Sequence, residues 1–341
     1  MKSTILVNAF CMNVFVLVAN LNAQEGRATV RVVDFHTGLP ISNVVVDAGF
    51  ETNIKPGWGW GAGKPNSVIG VTDTNGICVL TGQGDDGSVG IAVTNTAAYY
   101  GSSCSIRFTN MAWSVTGQKW QPWNPTVELR LKKVGKRIPL YTKKIGAVTP
   151  VRIPDASKSA GFDLLMGDWV KPFGNGKTED LVFTYTNVPN KTITTRYGNV
   201  VIYDCSLCVN VSNDGDGFLP VLVSLRKEKS NLRLPPIAPE SGYLPFISKR
   251  IYRDEKDLQH HSDIQENMNY FVRVRTKKDE NGKIVDALYG KIHGDFQLRH
   301  SGALGFIYYL NPTPNDRNLE FDGKNNLFKP DWQDAAWPSE P

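Results

Sequence analysis

The feature that most constrains this chain is its punctuation, because its apolar runs stop at Gly, Pro, Asn or Asp before a helix could complete its turns. Residues 29–33 (TVRVV) alternate, 36–40 (HTGLP) turn, and 44–46 (VVV) resume. Residues 68–72 (VIGVT) run into Asp73-Thr74-Asn75-Gly76, and Ile77 to Leu80 pair back. Asn-Gly between apolar runs is a strong hairpin signal, since both central positions of the tight turn want positive φ. The rhythm continues at 89–93, 103–108 and 126–132, then at 161–164 (GFDL), 168–170 (DWV), 180–186 (DLVFTYT), 200–203 and 221–225. Residues 270–276 (YFVRVRT) and 284–292 form a second predicted hairpin through Asp279-Glu280-Asn281-Gly282, and 305–310 (GFIYYL) reads as a buried strand closed by Asn311-Pro312-Thr313-Pro314-Asn315. Only residues 255–266 read as a short helix. Such runs, in a chain with 31 Gly and 20 Pro among 341 residues, predict an all-β protein of two domains.

Residues 1–23 carry the clearest statement about location. Lys2 precedes an apolar stretch over 5–18 broken by Asn8 and Asn13, and Leu21-Asn22-Ala23 stands before polar Gln24-Glu25. This is the pattern of a secretory signal peptide cut near Ala23; a retained anchor is the alternative. The run is too short and too Asn-broken for a membrane span, and Phe10 before Cys11 argues against a lipoprotein. The expected location is therefore secreted, periplasmic or cell-surface, with no transmembrane segment after cleavage. Four cysteines then remain, Cys78, Cys104, Cys205 and Cys208. An exported chain permits disulfides, and pairing Cys78 with Cys104 and Cys205 with Cys208 respects the expected domain boundary. The net charge of +5 comes from interspersed signs, and the basic runs 130–137 (RLKKVGKR) and 141–144 (YTKK) lack the clustering of a nucleic-acid stripe.

The order Val-Arg-Val-Val-Asp, Thr-Gly-Leu-Pro-Ile, Asn-Val-Val-Val and Val-Thr-Asp-Thr-Asn-Gly over residues 30–76 resembles the carboxypeptidase-regulatory-like family. The resemblance implies a seven-stranded, transthyretin-like (prealbumin-like) β-sandwich over 24–133, with two polar turns at one end. The Gly-Trp loop at 56–65 (PGWGWGAGKP) and the insertion at 113–125 depart from the compact pattern. Such modules accompany enzymes, transporters and adhesins alike, so the resemblance implies fold and export rather than activity. A basic, Pro-punctuated connector is expected over 134–160 and a second β-rich, sandwich-like domain over 161–328. That region resembles uncharacterised exported bacterial proteins with similar GFDL…GDWV and NPTPNDRNLEFD stretches. The tail at 329–341 is expected to be ordered only where Trp332 or Trp337 packs.

No catalytic constellation stands out. Cys205-Ser206-Leu207-Cys208 follows an apolar strand, whereas a redox dithiol wants a helix N-terminus and a zinc site wants two more ligands. The adjacent His260 and His261 would point to opposite faces of a strand. Asn213-Asp214-Gly215-Asp216-Gly217 reads either as a turn or as a Ca²⁺ loop using Asp214 and Asp216, although the late bidentate acid of such loops is missing. None of His36, His260, His261, His293 and His300 lies in a hydrolase or phosphate-loop motif. Asp163, Asp168 and Asp180 form a loose acidic series that would serve a secreted hydrolase. The indoles point to binding: Trp58 and Trp60 in the Gly-rich loop, Trp120 and Trp123 in the second long loop. They read either as a platform for sugar rings or peptide segments, or as lids on the sandwich. The sequence thus favours an exported non-catalytic protein binding a glycan or a surface partner, without a cofactor. The alternatives are an envelope assembly component acting by β-augmentation, and a hydrolase.

Overall fold

The computed structural model describes residues 24–50, 66–84, 87–108, 119–146, 151–223, 230–329 and 338–341. Among these residues every regular element is a strand and no helix occurs. The chain forms two compact units, one of Met1–Val33, Pro40–Val93 and Ser103–Leu129, the other of Asp34–Leu39, Thr94–Ser102 and Arg130–Pro341.

Strict alternation builds the first unit. In β4 (Ile77–Gly84) Cys78, Leu80, Gly82 and Gly84 turn inward while Ile77, Val79, Thr81 and Gln83 stay exposed, the period of two that gives a sheet one dry face. β4 pairs with β1 (Gln24–Asp34), which pairs with β7 (Thr126–Leu131). The facing sheet runs β3 (Asn66–Val71), β2 (Val45–Phe50), β5 (Ser88–Val93), β6 (Ser102–Arg107). Seven strands in two sheets are the count the family resemblance implies. Val30, Val32, Val46, Ala48, Ile91 and Leu80 fill the core. Its largest members are Phe50 and Trp120, with ring centroids 6.0 Å apart. Glycines make room for them: a Cβ on Gly82 would collide with the Phe50 ring, and one on Gly26 with the Trp120 indole.

The second unit is a larger sandwich. One sheet has the order β11 (Asp168–Trp169), β10 (Ala160–Asp163), β12 (Leu181–Thr195), β13 (Gly198–Val211), β15 (Phe246–Arg253), β16 (His261–Ser262). The other has β14 (Gly217–Leu222), β17 (Met268–Lys278), β18 (Ile284–Leu298), β19 (Ala303–Asn311), β8 (Ile138–Ile145), β20 (Phe321–Asn326), with β9 (Val151–Arg152) beside β19. Between the sheets lies an aromatic core that includes Phe162, Phe183, Phe296, Phe306 and Tyr308. The seven-stranded sheet is also covered on its outer face. There Leu234, Ala238 and Leu319 pack on Phe271, Ala287 and Tyr289, and Phe321 packs on Leu140 and Tyr309. The 311–321 stretch is held down by Asn311, whose Nδ2 donates to the Asp316 and Asn318 carbonyls, and by the backbone bonds of Ala238 N to Arg317 O and Leu319 N to Pro236 O.

Three expectations change. The Asp73–Gly76 turn closes no hairpin, because β3 pairs with β2 and β4 with β1, so the turn passes the chain from one sheet to the other. Residues 134–160 contain β8 and β9, which hydrogen-bond to β19, so the basic stretch is sheet rather than connector. Residues 255–266 are not helical. Asp254 Oδ1 accepts the N–H groups of Lys256 and Asp257, Asp257 Oδ1 accepts that of Gln259, and Leu258 takes φ +60°. These side-chain bonds offer the backbone turns in place of a helix.

Candidate functional site

The described residues include two of the four expected platform indoles, Trp120 and Trp123. Trp58 and Trp60 lie outside the described residues. Trp120 is a fully buried core residue against Phe50 and Phe108, which corrects its reading as a ligand contact. Trp123 is half-buried with the Lys119 Nζ 4.6 Å from its ring centroid. An indole with no exposed surface cannot stack on a sugar.

The four cysteines form no disulfide, and the strand geometry explains why. Cys205 and Cys208 lie on one strand with odd spacing, so they face opposite sides; Cys205 is fully buried beside the Tyr185 hydroxyl, 3.4 Å away. Cys78 packs against Gly70 on β3, whereas Cys104 lies on β6 at the other edge of that sheet. Three strand spacings amount to about 14 Å, twice what a disulfide tolerates between Cα atoms.

The Asn213–Gly217 turn has other work for its acids than calcium. The buried Asp216 carboxylate accepts the backbone N–H groups of Arg275 and Thr276, at 3.1 and 2.7 Å, and the Asn213 amide. These N–H groups belong to a bulge in β17, where pairing with β18 shifts register and Arg275 takes φ +57°. Asp214 is exposed and ion-paired to Lys278 at 2.7 Å. Among the described residues no three His, Cys, Asp or Glu side chains are grouped to hold a metal.

The bulge also explains the acidic series. Arg275 reaches Asp163 at 2.8 Å and Asp180 at 2.8 and 2.9 Å. Burial pushes the Asp163 carboxyl up, but the N–H groups of Lys177, Met166 and Thr178 and the Arg275 charge outweigh it and hold the pKa below the usual range. Burial wins at Asp180 and raises its pKa. Such a split could describe an acid and a base, yet both carboxylates face one guanidinium and also accept backbone N–H groups. Asp168 closes a loop through Trp169 N and Asn175 N. The series fastens turns. His260 and His261 do part company: His260 Nδ1 lies 2.6 Å from the Tyr203 hydroxyl, while His261 stacks on Tyr252 and meets Asp257 at 2.7 Å.

Among the described residues, two places present unpaired groups, a strand edge in the first unit and a cavity in the second. In the first unit, β3 is an edge strand, and among the described residues no strand pairs along its other side. Its six residues (NSVIGV) include no charge and no proline. Val71 lies opposite Val45, and Ile69 opposite Asp47. Ile69, Val71 and Val45 are 68%, 55% and 51% exposed, and Ile77 and Val79 of the neighbouring edge strand β4 are exposed as well. Edge strands ordinarily carry a charge or proline against sheet-to-sheet pairing.

In the second unit, a cavity of about 620 Å³ opens where β18, β19 and β8 lie side by side, and its lining includes Lys144, Arg233, His293, Asp295 and Arg299. Register sets the row, with His293 opposite Ile307 and Ile307 opposite Lys144. Past His293, β18 carries extra residues relative to β19, and Gly294 takes φ +79° at that break. Asp295 is internally matched, since it meets Lys249 at 2.8 Å, Tyr270 at 2.7 Å and the N–H groups of Gln265 and Phe296. His293 is buried, and neither ring nitrogen has a hydrogen-bond partner. Burial, together with the charges of Lys291 and Arg233, brings its pKa down to about 3, so the imidazole is neutral. Lys291, the neighbouring outward position, is fully buried with its Nζ 4.8 Å from the Tyr309 ring centroid and no hydrogen bond. Burial pulls its pKa down to about 7 against the attraction of Glu320 and Glu340.

Glu340 meets this group from the rim. Its carboxylate receives Arg233 Nε at 2.8 Å and an Arg233 terminal nitrogen at 3.0 Å, and lies 3.5 Å from His293 Nδ1, a distance that makes the last approach electrostatic. The His293 contact and the Arg233 guanidinium hold the Glu340 carboxyl down at about 2. Because the imidazole is neutral, the guanidinium supplies the charge. His293 was visible in the sequence only as one of five histidines, and Lys291 and Arg233 gave no signal there. The alternation of 284–292 could mark Lys291 and His293 as sharing a face, but not that this face is covered.

No family model and no curated protein matches the chain. Among solved structures, a DUF3823 family protein from Parabacteroides merdae is similar over 88% of this chain and 99% of that one, at 10% identity and a TM-score of 0.19. The full-length major pilin of Corynebacterium diphtheriae covers 87% of this chain and 84% of its own length at 9% identity and a TM-score of 0.24. The major pilin subunit of Bacillus cereus covers 87% and 100% at 11% identity and a TM-score of 0.23. Superpositions this loose carry no argument about activity or partners.

Proposed function

We propose that this is an exported, non-catalytic assembly protein of the cell envelope, whose first unit is a carboxypeptidase-regulatory-like module that joins a second copy through its β3 edge. The observation that carries the reading is the uncharged, exposed edge strand with Ile69 and Val71 beside Val45. A strand without charge can pair antiparallel with itself and oppose no like charges, which is what a two-fold contact requires. Main-chain hydrogen bonds would supply the attachment and the apolar row the contact area. Export rests on the leader-like residues 1–23, and the absence of a catalytic role on the engagement of Asp163, Asp168 and Asp180 in turns.

Sedimentation equilibrium across a range of protein concentrations tests it. The wild-type chain without residues 1–23 should self-associate, and the double variant Ile69→Lys, Val71→Lys should stay monomeric with an unchanged melting temperature. A wild type that remains monomeric at the highest concentration sinks the reading. Saturable binding on a glycan array, lost on replacing Trp58 and Trp60, would put sugar recognition in its place.

A further inference from the structure

The cavity of the second unit has the makings of a receptor that the assembly reading does not use. Lys144, Arg233 and Arg299 stand in its lining, and the acid among them, Asp295, is already matched by Lys249 and Tyr270. A fully buried histidine in the same lining leaves both nitrogens without a hydrogen-bond partner, Glu340 standing 3.5 Å from its Nδ1. Buried polar atoms are almost always satisfied, so an unpartnered pair facing a cavity marks a position where something polar can arrive. Its volume of about 620 Å³ suits a small molecule or a few residues of peptide. The structure also indicates which chemistry fits, because the group lying on Arg233 and His293 is a carboxylate, that of Glu340, held by two guanidinium nitrogens. A planar fork against two carboxylate oxygens is specific in geometry as well as charge. Glu340 is about half exposed, is not itself part of the lining, and approaches from the rim.

We propose that the Arg233–His293 cavity is a binding site for carboxylate-bearing ligands, and that Glu340 of the chain's own tail is its resident competitor. A ligand carboxylate takes the Arg233 fork, the rest of the ligand fills the cavity towards Lys144 and Arg299, and the neutral His293 ring offers one donor and one acceptor. Displacing Glu340 exchanges one ion pair for another, so occupancy is governed by the difference between the two carboxylates rather than by the strength of either.

Calorimetric titration of the full chain with two probes tests this: glutarate, a small dicarboxylate, and the tetrapeptide Pro-Ser-Glu-Pro, which copies residues 338–341. Removing the internal competitor with Glu340→Gln should tighten binding of at least one probe about tenfold, the equivalent of about 1.4 kcal/mol. Arg233→Gln should abolish it, and Arg233→Lys, which keeps the charge and loses the fork, should fall between. The lysine variant carries the test if the glutamine variant fails to fold. Preference for glutarate or for the peptide tells a small acid from an acidic peptide segment, and either supports the site. Equal affinity for wild type and Glu340→Gln overturns the competition. Saturable binding by neither probe, or binding indifferent to residue 233, overturns the site.

Discussion

Strands β4 and β18 show how differently the two units use a sheet. β4 buries alternate residues and leaves Ile77, Val79, Thr81 and Gln83 in solvent, whereas β18 is buried without a gap from Ala287 to His293. The difference is the cover supplied by residues 230–244 and 311–321 on the outer face of the seven-stranded sheet. Where the described residues supply no cover, outward apolar residues become a surface, as at Ile69 and Val71. Where it is present, outward polar residues are sealed in and must be paired or lose their charge, as at Arg273, which bonds the Gly215 and Glu240 carbonyls, and at Lys291. One alphabet of strand residues thus produces an exposed apolar edge in one unit and a set of buried basic side chains in the other.

The comparison breaks most visibly at Arg275. Arg275→Met leaves Asp163 and Asp180 buried without their cation and should cost about 3–5 kcal/mol in urea unfolding of the second unit. A loss under 1 kcal/mol, on the order of a surface pair, would show that the backbone N–H groups suffice.

Lys291→Met should act in the opposite direction and stabilise by about 1–4 kcal/mol near neutral pH, because it removes a sealed amine that faces Tyr309, His293, Glu320 and Glu340. The sign follows from proton counts. The folded chain releases the Lys291 proton near pH 7 and the unfolded chain near 10.5, so between these values the unfolded chain holds more protons and wild-type stability rises with pH. The advantage of methionine should therefore shrink from pH 7 to pH 10, and an advantage that grows would contradict the sealed-amine account.

In the first unit, Gly82→Ala should cost about 1–3 kcal/mol, since the added carbon meets the Phe50 ring. Gly90→Ala on β5, where nothing lies within 4 Å, should be neutral or gain up to about 1 kcal/mol through the unfolded state. Equal melting temperatures for the two variants would mean that the sandwich gives way around the ring. The smallest contrast uses one chemical change on both sides of the comparison. Val79→Thr, on an exposed outward position, should stay within about 0.5 kcal/mol, whereas Val272→Thr in the second core should lose about 1–3 kcal/mol.

Much of the strand order could be read directly, because turns are local chemistry. Asp73 Oδ1 accepts Asn75 N and Ile77 N, and Asp279 Oδ1 accepts Asn281 N and Lys283 N, so both turns are written in the residues that make them, but only the second closes a hairpin, since the first carries the chain from β3 in one sheet to β4 in the other. The site was not legible, because covering is non-local. Nothing in residues 284–292 announces that a segment some 50 residues upstream will seal them, and nothing beside Trp120 announces Gly26 as its socket. The Asn213–Gly217 turn misleads for a related reason: the donors that occupy Asp216 arrive from a bulge in a strand distant in sequence.

The position of β8 has a consequence for how the molecule is made. It directly follows the first unit along the chain, yet its Ile145 pairs with Phe306 and its Ile138 with Phe321. During synthesis this strand emerges early and waits, its hydrogen-bonding groups open, until nearly the whole second unit has followed. A pause in synthesis between the two would leave a bare strand, because this pairing closes a long loop, the kind of non-local contact that forms slowly and leaves an unpaired edge open to aggregation.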